Sequence, residues 1–133
     1  TSVIDQNGSY LGGMIIPGLR VAVDALSARA SQLPLNISLE APEHLIGTNT
    51  IDCMRSGAIY GNAAMIDGII DRVEEELGAP VTAVATGNLV SLVTPYCERR
   101  IHEEPNLLLR GLGLLYEKNC RKPSEPASRG VNP

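Results

Sequence analysis

Thr48, Asn49 and Thr50 stand in a row directly ahead of a long stretch with apolar residues at helical spacing. Side chains of these types can do two things there. Their oxygens can accept the free N–H groups of a first helical turn, or they can hold a polar ligand beside it. The capped core helix is the ordinary reading, and the ligand site is the sharper one. Two further places could contact a ligand through bare backbone. Gly12-Gly13 lies within strand-like sequence that ends in Pro17-Gly18, where paired glycines mean either a bulge or something lying against the main chain. Val84-Ala85-Thr86-Gly87-Asn88 reads as strand, small-residue turn and helix start, a geometry that can receive a nucleotide or phosphate.

Other chemistry finds less support. His44 and His102 sit in polar connectors beside prolines and read as surface residues. Asp5, Asp52, Asp67 and Asp71 show no paired spacing that would demand acid/base work, and no Ser/His/Asp or Cys/His arrangement can be assembled. Cys53, Cys97 and Cys120 are odd in number and far apart, without a CxxC or Cys/His cluster. No zinc site is expected, and a reduced cytoplasmic setting is. There is neither a Walker A sequence nor a GxGxxG after a strand.

The elements that must position these residues follow from pattern. Ile51 to Leu77 carries Ile51, Met54, Ile59, Ile66, Ile69, Ile70, Val73 and Leu77 at mostly three- and four-residue steps, and Gly78 with Pro80 stops it. Gly57 and Gly61 on this helix would let another backbone come close. The charges Asp52, Arg55, Asp67, Asp71, Arg72 and Glu74-Glu75-Glu76 exclude a membrane span, and the three glutamates read as a solvated helix end. Thr1–Asp5 and Ser9–Ile16 are predicted strands joined at Asn7-Gly8, a hairpin signal in which both turn residues take positive φ. Leu19–Leu33 is a predicted helix with Leu19, Val23, Leu26 and Ala30 on one face. Leu35–Leu45 is a connector, extended at Asn36–Leu39. Val81–Ala85 reads as a buried strand, Asn88–Thr94 as a short helix, Tyr96–Pro105 as polar connection and Asn106–Asn119 as an amphipathic helix. From Arg121 the sequence is polar and Pro-rich, the composition of a disordered tail.

With 133 residues, the chain holds one domain or part of one. It has no Phe or Trp, so its core must be Ile, Leu, Val, Ala and Met. A net charge of −4 argues against nucleic acid, whose phosphates need clustered Lys and Arg. No apolar run reaches transmembrane length. The order of elements fits a mixed α/β sheet packed with helices. The chain opens at Thr1 already in strand-like sequence, which reads as a truncated beginning.

Taken together, the motifs resemble a known family. Tyr10-Leu11-Gly12-Gly13-Met14-Ile15-Ile16-Pro17-Gly18 resembles the YxGGxIxPG segment of type III pantothenate kinases, and Ala25-Leu26 with Leu33-Pro34 resembles the AL…LP after it. Gly47-Thr48-Asn49-Thr50 with Met54, Ser56-Gly57 and Gly61 resembles GxNTxxxMxSGxxxG. Val84-Ala85-Thr86-Gly87 resembles the family's ATGG, with Asn88 in place of its second glycine. Leu107, Leu109, Gly111-Leu112, Tyr116-Glu117 and Asn119 resemble LxLxGLxxxYExN. The match runs in order from about Ser9 to Asn119.

The resemblance implies an actin-like ATPase fold of two ribonuclease-H-like domains around a cleft. Residues 1–120 would be part of the C-terminal domain, lacking its first strand, with 121–133 a tail. It implies transfer of the γ-phosphoryl of ATP to pantothenate with Mg²⁺ and a monovalent cation (K⁺ or NH₄⁺), in a homodimer. By resemblance, Thr50, Gly12 and Gly13 contact pantothenate, and Thr86 and Gly87 face the nucleotide. The family's DxGNT, GxDR and DxGTATT motifs belong before Thr1, so no catalytic residue and no metal ligand is expected here, and the 133 residues alone are expected to be inactive. The rival reading is a non-catalytic half that serves as a binding or dimerisation module.

Overall fold

A computed structural model describes residues 1–120, and the predicted tail lies outside them. The chain opens with a hairpin of β1 (Ser2–Ile4) and β2 (Tyr10–Gly13), antiparallel, with a register irregularity between Val3 and Ile4. Its turn differs from the two-residue form expected. Gly8 donates to the Asp5 carbonyl at 3.0 Å and Asp5 donates to Ser9 at 2.9 Å, while Gly8 alone takes positive φ, at 80°. This is a three-residue loop closed by a bulge glycine. Asp5 selects it: its Oδ1 accepts the N–H groups of both Asn7 and Ser9 at 2.8 Å. Those bonds hold the Asp5 carboxyl below its ordinary value, Ser9 contributing most and partial burial opposing it.

Helix α1 (Leu19–Arg29) is shorter than predicted. Ala30 turns extended, and Leu33 donates to the Ala30 carbonyl at 2.9 Å, a turn that lays Leu33 on the core. Leu19, Val23 and Ser27 form the buried face, whereas Leu26 is 51% exposed. The connector then crosses the core with Ile37 and Leu39 buried on either side of Ser38. Arg20 donates to the Ile37 carbonyl at 3.0 Å, and Arg55 Nε to that of Ser38 at 2.9 Å, so irregular backbone here has partners.

Helix α2 (Thr50–Leu77) spans 28 residues and is the spine of the molecule. Its end is as predicted: Gly78 is left-handed at φ 64°, and the N–H groups of Gly78 and Ala79 return to Glu75 and Glu74. Met54, Ile59 and Ala63 meet Leu19, Val23, Ile37, Leu39 and Val93 in one aliphatic cluster, with Ile59 fully enclosed. Tyr60 and Tyr96 meet edge-to-face, their centroids 4.8 Å apart.

Beyond α2 come β3 (Ala83–Ala85), α3 (Val90–Val93), a 3₁₀ turn at Thr94–Tyr96, β4 (Ile101–Glu103) and α4 (Leu107–Cys120). β3 and β4 pair in parallel. Two expectations are corrected here. The described strands form two separate two-stranded sheets rather than one mixed sheet. The predicted buried strand is open too, with Val84 52% exposed. Strands of three and four residues offer too few ladder bonds and too little face to join across a gap. β4 itself lies in what sequence reads as polar connection. It forms because Asp67 of α2 accepts the N–H groups of Glu98 and Arg99, at 2.8 and 3.0 Å, and sets the chain alongside β3. Arg99 also reaches Asp71 at 3.5 Å and bonds Glu74, whose other oxygen accepts from Val81 at 2.9 Å. Glu74 is thus a joint between elements, whereas Glu75 and Glu76 are the solvated helix end expected of all three.

Candidate ligand site at the start of helix α2

Of the three cap candidates, Asn49 performs the task. Its Oδ1 accepts the Asp52 N–H at 3.0 Å, and its amide donates back to the Asp52 carboxylate. An acidic residue in the first turn also suits the positive end of the helix dipole. Asn49 therefore leaves the Thr50 hydroxyl free of capping duty. The loop ahead of it is folded down onto α2: Ser56 Oγ donates to the Leu45 carbonyl, and Cys53 Sγ to that of Gly47 at 3.2 Å. Gly47 must be glycine for space, because a Cβ there would lie 2.5 Å from the Cys53 nitrogen.

Two cavities flank this first part of α2. One, of about 410 Å³, lies between α1 and α2. Thr50 and Asn62 mark its polar ends, Ala22, Val23, Leu26 and Leu33 form one wall, and Cys53, Met54, Gly57 and Ala58 form the other. The second, of about 540 Å³, lies under the loop between Leu45–Gly47 and Cys53, Ser56, Gly57, Tyr60 and Gly61. Cys53 and Gly57 line both. No described backbone packs on the small-residue strip, since a Cβ on Gly57 or Gly61 would meet nothing within 4 Å. The strip is a cavity floor.

Among the predicted contacts, Thr50 is in a cavity and the hairpin glycines are in neither. Gly12 has φ 145°, and a Cβ on Gly13 would lie 2.0 Å from the Thr1 carbonyl oxygen, so both serve the hairpin itself. Within this one chain, Thr50 and Gly12-Gly13 do not share a pocket. Asn62 and Cys53 line the Thr50 cavity without having been singled out. Cys53 lies about one turn along α2 from Thr50, but Asn62, twelve residues on, is rotated about 120° from it, so helical spacing alone does not pick out the pair.

Thr86 and Gly87 stand at the carboxyl end of the parallel pair, where α/β sheets receive ligands. Both are exposed, and Gly87 has φ 125°. The helix expected from Asn88 begins at Val90 and makes a single turn, too short to gather a dipole for phosphate. Glu103 stands beside Ala85 in register and accepts from the Thr94 hydroxyl. His44 and His102 are both exposed.

Among the described residues no three His, Cys, Asp or Glu side chains come together to hold a metal ion. No step is routed through Mg²⁺ or a monovalent cation. Nor is any described helix long and apolar enough to cross a membrane.

Comparison with known proteins bears on what this site serves. The family model for type III pantothenate kinase matches residues 1–72. Proteins named type III pantothenate kinase are 44% identical in Frankia alni over 117 residues, covering 88% of this chain and 46% of that protein. In Moorella thermoacetica the identity is 44% over 116 residues, covering 87% and 45%. In Acidiphilium cryptum it is 41% over 117 residues, covering 88% and 44%. This chain thus spans about half the length of the curated relatives it matches. A crystal structure of a Baf family protein from Campylobacter jejuni superposes with a TM-score of 0.56 at 22% identity, covering 89% of this chain and 52% of that one, a likeness of fold. The chain belongs to the type III pantothenate kinase family.

Proposed function

We propose that these residues supply the acceptor-side and adenosine-side surfaces of an enzyme that phosphorylates pantothenate from ATP, the first step of coenzyme A synthesis. The observation that carries this reading is the placing of Thr50. Asn49 takes the capping role, and Thr50 lines a cavity with aliphatic walls in which Asn62 is a second polar residue. Pantothenate is built to match, with a carboxylate at one end, one amide along its length and a gem-dimethyl group beside its reacting hydroxyl. Thr86-Gly87 presents an exposed turn at the strand ends for the adenosine.

Phosphoryl transfer rests on positioning and on charge stabilisation around the transferring group. The described side chains provide neither a metal-holding cluster nor a base aimed at either cavity. We therefore assign binding and orientation to these residues, and proton removal, Mg²⁺ and the monovalent cation to the part of the relatives that this chain does not span. On this reading the 133 residues alone bind but do not turn over. The rest of the family reading is proposed on the same basis: a ribonuclease-H-like domain of an actin-like ATPase, acting in the cytoplasm as a homodimer.

The test is ligand-observed NMR with pantothenate, on the native chain and on Thr50→Ala. Saturation transfer that is strong for the native chain and weak for the variant supports the proposal; equal transfer removes Thr50 from the site. One observation favours a second reading, of a non-catalytic binding module. Asn88 stands where the family motif has glycine, and it adds a side chain at an exposed turn. Loss of ATP binding that Asn88→Gly restores would establish that reading.

A further inference from the structure

The Thr86-Gly87 turn has little of its own to hold it in place. β3 and β4 are three residues each, too short to keep a register by their ladder bonds alone. Helix α2 supplies the rest. Glu74 accepts the Val81 N–H at 2.9 Å, just ahead of β3, and Asp67 accepts the N–H groups of Glu98 and Arg99 at 2.8 and 3.0 Å, just ahead of β4. Asp67 and Glu74 are seven residues apart, close to two full turns, so one face of α2 anchors the leading end of both strands. The trailing ends then hold the turn. Glu104 N–H donates at 2.9 Å to the carbonyl of Ala85, the residue before Thr86. Glu103 accepts from the hydroxyl of Thr94, at the end of the single helical turn α3 that follows Gly87. β4 therefore fixes the turn on entry and on exit, and Asp67 fixes β4.

We propose that Asp67 is a positioning residue for the nucleotide: by holding the start of β4 it sets where Thr86-Gly87 stands, without touching the nucleotide itself. This rests on the reading of that turn as the adenosine-side surface, and adds the residue that presents it. A carboxylate accepting backbone N–H groups makes the stronger, charge-assisted kind of hydrogen bond. Without Asp67 both N–H groups lose that acceptor. Thr50 begins the same helix seventeen residues earlier, roughly 25 Å along its axis. Asp67 lines neither of the two cavities beside that first part of α2. Its loss should therefore spare the pantothenate side. Charge gives the discriminating sign: removing a carboxylate favours a polyphosphate by Coulomb energy alone, whereas a misplaced turn weakens its binding.

The experiment takes the 133-residue chain, native and Asp67→Asn, and measures ATP and pantothenate affinity separately by ligand-observed NMR titration. The asparagine keeps one acceptor oxygen and turns an N–H₂ group toward the second backbone donor. It should weaken ATP binding at least roughly tenfold and leave pantothenate binding within about twofold. Glu75→Gln, which removes the same charge from the solvated end of the helix, should change neither. In the native chain, ATP should slow amide exchange at Glu98 and Arg99, because a bond that favours a ligand is favoured by it in return, and pantothenate should not. The inference is overturned if Asp67→Asn binds ATP as well as the native chain or better, or if Glu75→Gln weakens it equally. It is overturned too if Asp67→Asn loses pantothenate binding to the same degree, the mark of a merely structural role or a misfolded variant, or if ATP leaves exchange at Glu98 and Arg99 unchanged. Any of these results in a native chain that binds both ligands leaves the proposed function standing. A native chain that binds pantothenate but not ATP removes this inference together with the adenosine-side assignment, and one that binds neither removes the proposed function as well.

Discussion

Gly47 and Cys53 are locked face to face: the Cys53 thiol donates to the Gly47 carbonyl at 3.2 Å, and a Cβ on Gly47 would sit 2.5 Å from the Cys53 nitrogen. This contact holds the loop down over the first turns of α2 and fixes where Thr50 opens. Gly47→Ala must push backbone against backbone, which has no flexible side chain to yield. We expect a loss of about 1–3 kcal/mol by denaturant unfolding, as for other overpacked sites, together with loss of pantothenate binding.

Asn49 and Thr50 are adjacent and have separable roles. Asn49→Ala removes the cap and should cost about 1 kcal/mol of stability. Thr50→Ala should leave unfolding nearly unchanged and weaken pantothenate binding by about 1–3 kcal/mol, the cost of an unpaired polar group. Thermal unfolding and NMR titration of both variants check the split, and reversed effects would contradict the assignment.

Glu74 should make stability depend on acid. Its carboxyl is held below its ordinary value of 4.5, first by the Val81 N–H and then by Arg99, with burial opposing both. A group depressed in the folded state stabilises above its unfolded value, and that contribution is lost as pH falls through the folded value. Melting temperature should therefore drop below about pH 4.5. Glu74→Gln should flatten part of that fall while lowering stability at pH 7.

Cysteine labelling should follow burial. The Cys97 thiol is pushed up to about 11, by burial first and by the nearby Asp67 carboxylate second, so it is almost wholly protonated at pH 8. Cys53 and Cys120 are exposed. Iodoacetamide followed by mass spectrometry should modify both before Cys97, since the thiolate is the reacting form. Denaturant should abolish the order.

Much of this architecture was legible because it is local. The spacing of Met54, Ile59, Ile66 and Ile70, the cap types before Ile51 and Gly78 after Leu77 gave α2 to within a residue of its observed start. Asn7-Gly8 gave the hairpin but not its turn, because the sequence signal does not show that Asp5 captures two N–H groups and draws a third residue into the loop. β4 was illegible: Ile101-His102-Glu103 has no alternation to read, and its strand form comes from Asp67, 31 and 32 residues away. The leucine pattern of α4 gave a helix correctly and its burial not at all, since periodicity reports a face and not what covers it. For the site, the polar start of α2 was visible from residue types. That Gly12-Gly13 would lie apart from it was not, because no local rule relates a hairpin to a helix that begins dozens of residues later.

Phosphate transfer itself is the most direct test. The 133-residue chain, alone and paired with the part of the Frankia alni relative that it does not span, would be given ATP, Mg²⁺, K⁺ and pantothenate, and phosphopantothenate followed by mass spectrometry. The account predicts product from the pair, a raised KM for pantothenate in the Thr50→Ala pair, and none from the chain alone. A stable pair that makes no product and binds neither substrate would contradict it, as would kinase-like turnover by the isolated chain.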